Sequence, residues 1–212
     1  LLLWEEDAAS GTRFRIFNFE EEMNLAFDAK GYVPATKKTS GSHVAWLSQI
    51  EKQYYLRVLN VTTGVVQQIA MQQSRQPDFA LAGEHVVWSD KRGSKSGIFL
   101  LDFKTGNVKR LTKQHYDAVH PAAHGHFVSW TGRKEKTGEI FLYDTKTGVQ
   151  LQLTNNTVDD SRPVIGAGYI CWASTGTTGK ELNVYNMMTG KTEELPNNAI
   201  DDSYPQVSGQ HI

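Results

Sequence analysis

Gly83-Glu84-His85-Val86-Val87-Trp88, then Ile98-Phe99-Leu100-Leu101-Asp102, then Thr105-Gly106 and Leu111-Thr112, is the stretch that decides the fold. Its tryptophan is one of five, at positions 4, 46, 88, 130 and 172, an unbroken interval of 42 residues. A bulky residue recurring at one fixed interval marks a single supersecondary unit copied five times. Two residues before each tryptophan stand Leu2, Val44, Val86, Val128 and Ile170, all apolar. Ten and twelve residues after it come Phe14/Ile16, Leu56/Val58, Ile98/Leu100, Ile140/Leu142 and Leu182/Val184, with Arg15, Arg57 and Asn183 between three of these pairs. Alternation with a period of two predicts strands.

Each strand of that kind ends at Asn60, Asp102, Asp144 or Asn186, and Thr-Gly follows at 63–64, 105–106, 147–148 and 189–190. An Asp or Asn carboxamide or carboxylate closes such a turn onto the next amides, and the glycine takes the positive φ that re-enters the next strand. A fourth strand leads to Phe27, Ile69, Leu111, Leu153 and Leu195. With a first strand before each Gly-x-His or equivalent, the unit is four antiparallel strands in 42 residues, the pattern of a β-propeller blade. The expected fold is therefore all-β, with the tryptophan buried between neighbouring blades. The first copy is the most degenerate, with Glu21-Glu22 where the others have Thr-Gly.

Residues 1–212 read as one propeller domain. Five copies account for the length, and the ends overlap in register, since His211-Ile212 occupy the repeat positions of Leu1-Leu2. The expectation is a five-bladed ring closed by strand exchange, blade 1 being residues 1–28 plus a C-terminal strand at 203–212. A piece of a six- or seven-bladed ring is the alternative.

Composition narrows the function. Lys and Arg total 22 against 23 acids, so no global field favours nucleic acid. No hydrophobic run approaches the roughly 20 residues of a membrane helix, and the single cysteine, Cys171, reads as a small packing residue. The basic run Arg133-Lys134-Glu135-Lys136 reads as a solvated loop tip. No metal or cofactor is expected: His115, His120, His124 and His126 match no zinc spacing, and the first pair lies on the opposite face from the second.

Loops between strands two and three, and between strand four and the next strand one, share one face. On it Asp117, Asp159 and Asp201 each precede a proline by four residues, at Pro121, Pro163 and Pro205. These aspartates form either a partial ring of acids facing a cation or basic partner, or caps on their own loop amides. Immediately before the proline slot stand Thr36, Asp78, His120, Arg162 and Tyr204, varied in chemistry while their neighbours stay fixed. With Tyr116, Asp160 and Asp202 beside them, they are the expected recognition surface.

The units Asp117-x-x-x-Pro121, Gly83-x-His85-Val86-Val87-Trp88, Ile140-Phe141-Leu142-Tyr143-Asp144, Thr147-Gly148 and Leu153-Thr154 resemble the repeats of TolB-like and cell-surface β-propellers. The resemblance implies a periplasmic or cell-surface location and a protein-binding role. The leading expectation is thus a monomeric, non-catalytic binding or scaffold module for a protein or carbohydrate partner. The alternatives are the propeller domain of a larger hydrolase and a five-bladed glycosidase-like enzyme. First strands read as Asp78-Phe79-Ala80-Leu81-Ala82, Pro121-Ala122-Ala123-His124, Pro163-Val164-Ile165-Gly166 and Pro205-Gln206-Val207-Ser208 carry no acid beyond Asp78, too few for the paired carboxylates of glycoside hydrolysis.

Overall fold

The computed structural model describes residues 2–9, 11–19, 22–72, 76–113, 117–133, 137–166, 168–176, 179–195 and 205–207. They fall into two compact units, Leu1–Pro77 and Asp78–Ile212. In the first unit, β1 (Leu2–Ala8), β2 (Gly11–Asn18) and β3 (Met23–Asp28) make a three-stranded sheet. Beside them β4 (Lys38–Ser40), β5 (His43–Ile50), β6 (Gln53–Asn60) and β7 (Val66–Ala70) make a four-stranded one.

The second unit holds three four-stranded sheets. They are β8 (Phe79–Ala82) to β11 (Val108–Arg110) with β9 (His85–Lys91) and β10 (Ser96–Asp102) between; β12 (Asp117–His124), β13 (Phe127–Arg133), β14 (Gly138–Asp144) and β15 (Gln150–Gln152); and β16 (Asp159–Gly166), β17 (Tyr169–Thr175), β18 (Lys180–Asn186) and β19 (Lys191–Glu194). Every pairing is antiparallel and sequential, as expected of blades.

In the four-stranded sheets the tryptophan lies on the second strand, and Trp46, Trp88, Trp130 and Trp172 are at most 2% exposed. In unit 1, Trp46 sits against Phe14 and Ile16 from the preceding sheet, with the Phe14 ring edge-on at 5.2 Å. In unit 2, Trp130 packs with Ile98 and Leu100, and Trp172 with Ile140 and Leu142. Within each unit the apolar pair from one copy thus covers the tryptophan of the next. Trp4 departs from the pattern at 38% exposed.

The third-to-fourth-strand turns follow the reading atom by atom. The Asn60 Oδ1 accepts from the Thr62 and Thr63 amides at 3.0 and 3.1 Å. Asp102, Asp144 and Asn186 do the same for Lys104 and Thr105, Lys146 and Thr147, and Met188 and Thr189. Gly64, Gly106, Gly148 and Gly190 take φ of 68–74°. In the first copy Glu22 stands in that slot and is forced to φ 50°, a conformation that costs a side chain bearing Cβ.

The proposed closing strand at 203–212 lies outside the described residues except for Pro205–Val207, which belong to no strand. Among the described residues no helix is long and apolar enough to cross a membrane.

Candidate functional site

The first strands of the second and third sheets of unit 2 begin earlier than the prolines suggest. Strands β12 and β16 start at Asp117 and Asp159, and each then breaks register, between Val119 and Ala122 and between Ser161 and Val164. Two residues, His120-Pro121 or Arg162-Pro163, stand where the partner strand has one. Such a β-bulge suits a proline, whose missing N–H leaves no ladder bond to lose. The first residue of each bulge is left-handed, His120 at φ 52° and Arg162 at φ 54°, although neither is glycine. Backbone strain of this sort on non-glycine residues concentrates at functional sites. The sequence reading of first strands with no acid beyond Asp78 is therefore corrected: Asp117, Asp159 and Asp160 all lie on first strands, upstream of the bulge.

The aspartates behave as neither reading of them supposed. Asp117 Oδ1 accepts from the Ser96 amide at 2.8 Å, and Asp159 Oδ1 accepts from the Gly138 amide at 2.7 Å. Each therefore caps the strand-two-to-three hairpin of the preceding sheet, not its own loop. Asp159 also grips Arg133 with both oxygens, at 2.9 and 3.2 Å. Arg133, read from sequence as part of a solvated basic tip, ends β13 and is 29% exposed in its side chain. Among the described residues no group of three or more His, Cys, Asp or Glu side chains is placed to hold a metal ion.

The slot before the proline does bring neighbours together. His120 Nε2 lies 3.8 Å from Asp78 Oδ2, and His120 Nδ1 is buried with no hydrogen-bond partner among the described residues. Burial and the positive charge of Arg162 hold the His120 pKa below its ordinary value, with Asp78 pulling the other way. Acid, neutral imidazole and exposed guanidinium thus follow one another at one structural position in successive copies. Tyr116, Asp201, Asp202 and Tyr204 lie outside the described residues.

Asp160 belongs elsewhere. It is wholly buried and accepts from Trp172 Nε1 at 3.1 Å, Asn156 Nδ2 at 2.8 Å and the Ser174 hydroxyl. Behind it opens a cavity of about 400 Å³ lined by Asn156, Trp172, Asn183, Glu181 and Glu194 among others. The sequence reading missed this cavity. Its visible signal is Asn183, the one asparagine at a position where the two preceding copies have Phe99 and Phe141. Cys171, as expected, is packing: it is 1% exposed, and burial pushes its thiol pKa up to about 11, far from a reactive thiolate.

No protein-family model and no curated protein matches the chain. Solved structures do match it. TolB from Acinetobacter baumannii aligns over 92% of this chain at 16% identity, with a TM-score of 0.60. Dipeptidyl peptidase 4 from Porphyromonas gingivalis aligns over 87% at 15% identity and a TM-score of 0.64, using 29% of its own length. Acylaminoacyl peptidase from Pyrococcus horikoshii aligns over 88% at 13% identity and a TM-score of 0.62, using 35% of its length. The chain spans about half the length of the TolB structure, 51%.

The fold is a β-propeller of four-stranded antiparallel blades. It is of the TolB-like kind that the repeat motifs resemble.

The peptidases correct the leading functional expectation, a non-catalytic binding or scaffold module. Blades of similar fold are built into chains that are peptidases, so a variable loop face is not the mark of a free-standing binding module.

Proposed function

We propose that this chain is the propeller part of a hydrolytic enzyme of the peptidase class, and that the covalent step belongs to residues outside these 212. The observation that carries the reading is the match of nearly nine-tenths of this chain to about a third of each of two peptidases. In this reading the propeller admits and orients substrate, and the Asp78, His120 and Arg162 rim meets it. The ligand is a peptide, and the chain acts as a monomer. With 22 basic and 23 acidic residues it has no field for nucleic acid. An extracytoplasmic location goes with the proposal, supported by the resemblance to TolB and cell-surface repeats and tested by fractionation of the source cells.

Kinetics of the full-length protein on a peptide p-nitroanilide panel test the functional reading. Arg162→Ala and His120→Ala are expected to raise KM several-fold and leave kcat nearly unchanged, as loss of uniform binding does. Unchanged KM in both variants contradicts the assignment of the rim.

A further inference from the structure

The tryptophan face of the β16–β19 sheet differs from those of its two siblings in unit 2. In the first sibling the Trp88 ring is covered by its cross-strand partner Phe99, centroids 5.9 Å apart and planes within 22°. In the second, Phe141 stacks on Trp130 at 5.8 Å and 5°. The partner of Trp172 is Asn183, too short to cover an indole. Two neighbouring slots change with it. Gly132 of the second sibling, where a Cβ would lie 2.7 Å from the Phe141 ring, becomes Ser174, and its Ala118 becomes Asp160; the first sibling has Asp90, paired with Arg92 at 3.0 Å, and Gln76 in those slots. Relative to the Trp130 sheet, three differences stand where a packed aromatic face gives way to a cavity of about 400 Å³, within the range of about 300–1,000 Å³ for small-ligand sites.

The cavity's chemistry is one-sided. Asp160, Glu181 and Glu194 line it, and no Lys, Arg or His does among the described residues. Asp160 is out of solvent, yet among the described residues its donors are neutral: Asn156, Trp172 and Ser174. Buried carboxylates are ordinarily paired with a cation, because desolvating an unpaired charge is costly. Nor does the indole require the carboxylate, since Trp46 Nε1 and Trp88 Nε1 are buried with no acceptor among the described residues. The acid, the polar amide and the lost ring together leave room and negative charge, where in the first sibling the buried Asp90 is met by the Arg92 guanidinium lying over the Phe99 ring.

We propose that this cavity binds an organic cation of the guanidinium class, such as an arginine side chain presents. A planar guanidinium can donate to carboxylates at two edges at once, while its aliphatic stem lies along the apolar wall. The site is distinct from the Asp78, His120 and Arg162 rim and does not rest on the peptidase reading.

Isothermal titration of the protein with N-acetyl-arginine amide, its neutral isostere N-acetyl-citrulline amide, and agmatine is the test. Binding of the arginine amide is expected, with the citrulline amide about tenfold weaker or worse, the scale of a lost charge-assisted pair. Agmatine separates a free cation, bound equally well, from one that needs the peptide backbone; both outcomes support the site. Asn183→Phe restores the sibling ring and should abolish binding without lowering the thermal midpoint. Glu194→Gln, on an exposed strand, weakens binding even if Asn183→Phe fails to fold. Equal affinity for arginine and citrulline amides, binding untouched by both variants, or no binding at all overturns the proposal.

Discussion

Trp172 donates its indole N–H to Asp160 across 3.1 Å, and both residues are buried to within 1% of full exclusion from solvent. Trp46 and Trp88, in the same slot of earlier copies, have no acceptor for that N–H among the described residues. The repeat tolerates the orphaned donor, so the indole alone does not explain Asp160; the same slot holds Gln76 and Ala118 in the two preceding copies and Asp202 in the next.

Removing the carboxylate is nevertheless expected to hurt, because its neighbours have been arranged around it. Asp160→Leu leaves the Trp172, Asn156 and Ser174 donors unmet. It should cost about 3 kcal/mol in urea denaturation, whereas Asp160→Asn, which keeps an acceptor, should cost about 1 kcal/mol. Equal losses would place the effect in packing.

Glu22 is held at φ 50° where its counterparts Gly64, Gly106 and Gly148 sit at 69–74°. Glu22→Gly should therefore raise stability by about 1 kcal/mol, the penalty of a left-handed Cβ residue. Gly106→Ala should lower it by a similar amount. A thermal melt of the two variants reads both signs.

Gly132 makes room for a ring. A methyl there would meet Phe141 at 2.7 Å, so Gly132→Ala is expected to cost about 1–3 kcal/mol by overpacking. Gly132→Ser combined with Phe141→Asn copies the arrangement of Ser174 and Asn183. The double variant should lose less than the sum of the two single losses, and a double-mutant cycle measures the difference.

Acid should attack the turns selectively. The Thr105 amide holds the Asp102 carboxyl below its ordinary pKa, with His85 and the Lys104 amide adding to this. Asp144 is lowered too: partial burial opposes the shift, and the Lys146 and Thr147 bonds outweigh it. A depressed folded pKa means that the stabilisation is complete above the unfolded carboxylate value and is lost as pH falls through the lower, folded one. Asp102→Asn and Asp144→Asn should flatten the stability profile below about pH 4, near the ordinary aspartate pKa. Asn60 and Asn186, which make the same turn without a charge, show that the asparagine is tolerated.

The fold was legible because its signals are local and repeated: the Trp interval, the period-two strands and the Asn/Asp turns whose bonds appear as expected at Asn60, Asp102, Asp144 and Asn186. What escaped the reading depends on contacts between sheets. Asp117 and Asp159 looked local because their prolines are local, yet their partners Ser96 and Gly138 lie 21 residues upstream in another sheet. The bulges were hidden because they require left-handed φ at His120 and Arg162, a conformation that neither residue type compels. The cavity left a trace, Asn183 at a Phe position, but its meaning needs the stacking of Phe99 and Phe141 on the tryptophans opposite.

The central claim, a propeller that serves hydrolysis performed elsewhere, is tested most directly by comparing peptide hydrolysis by the full-length protein with that by residues 1–212 alone. Turnover by the full-length protein and none by the 212-residue segment is the predicted result. Turnover by the segment itself, or a full-length protein inert toward every peptide tried, would contradict it.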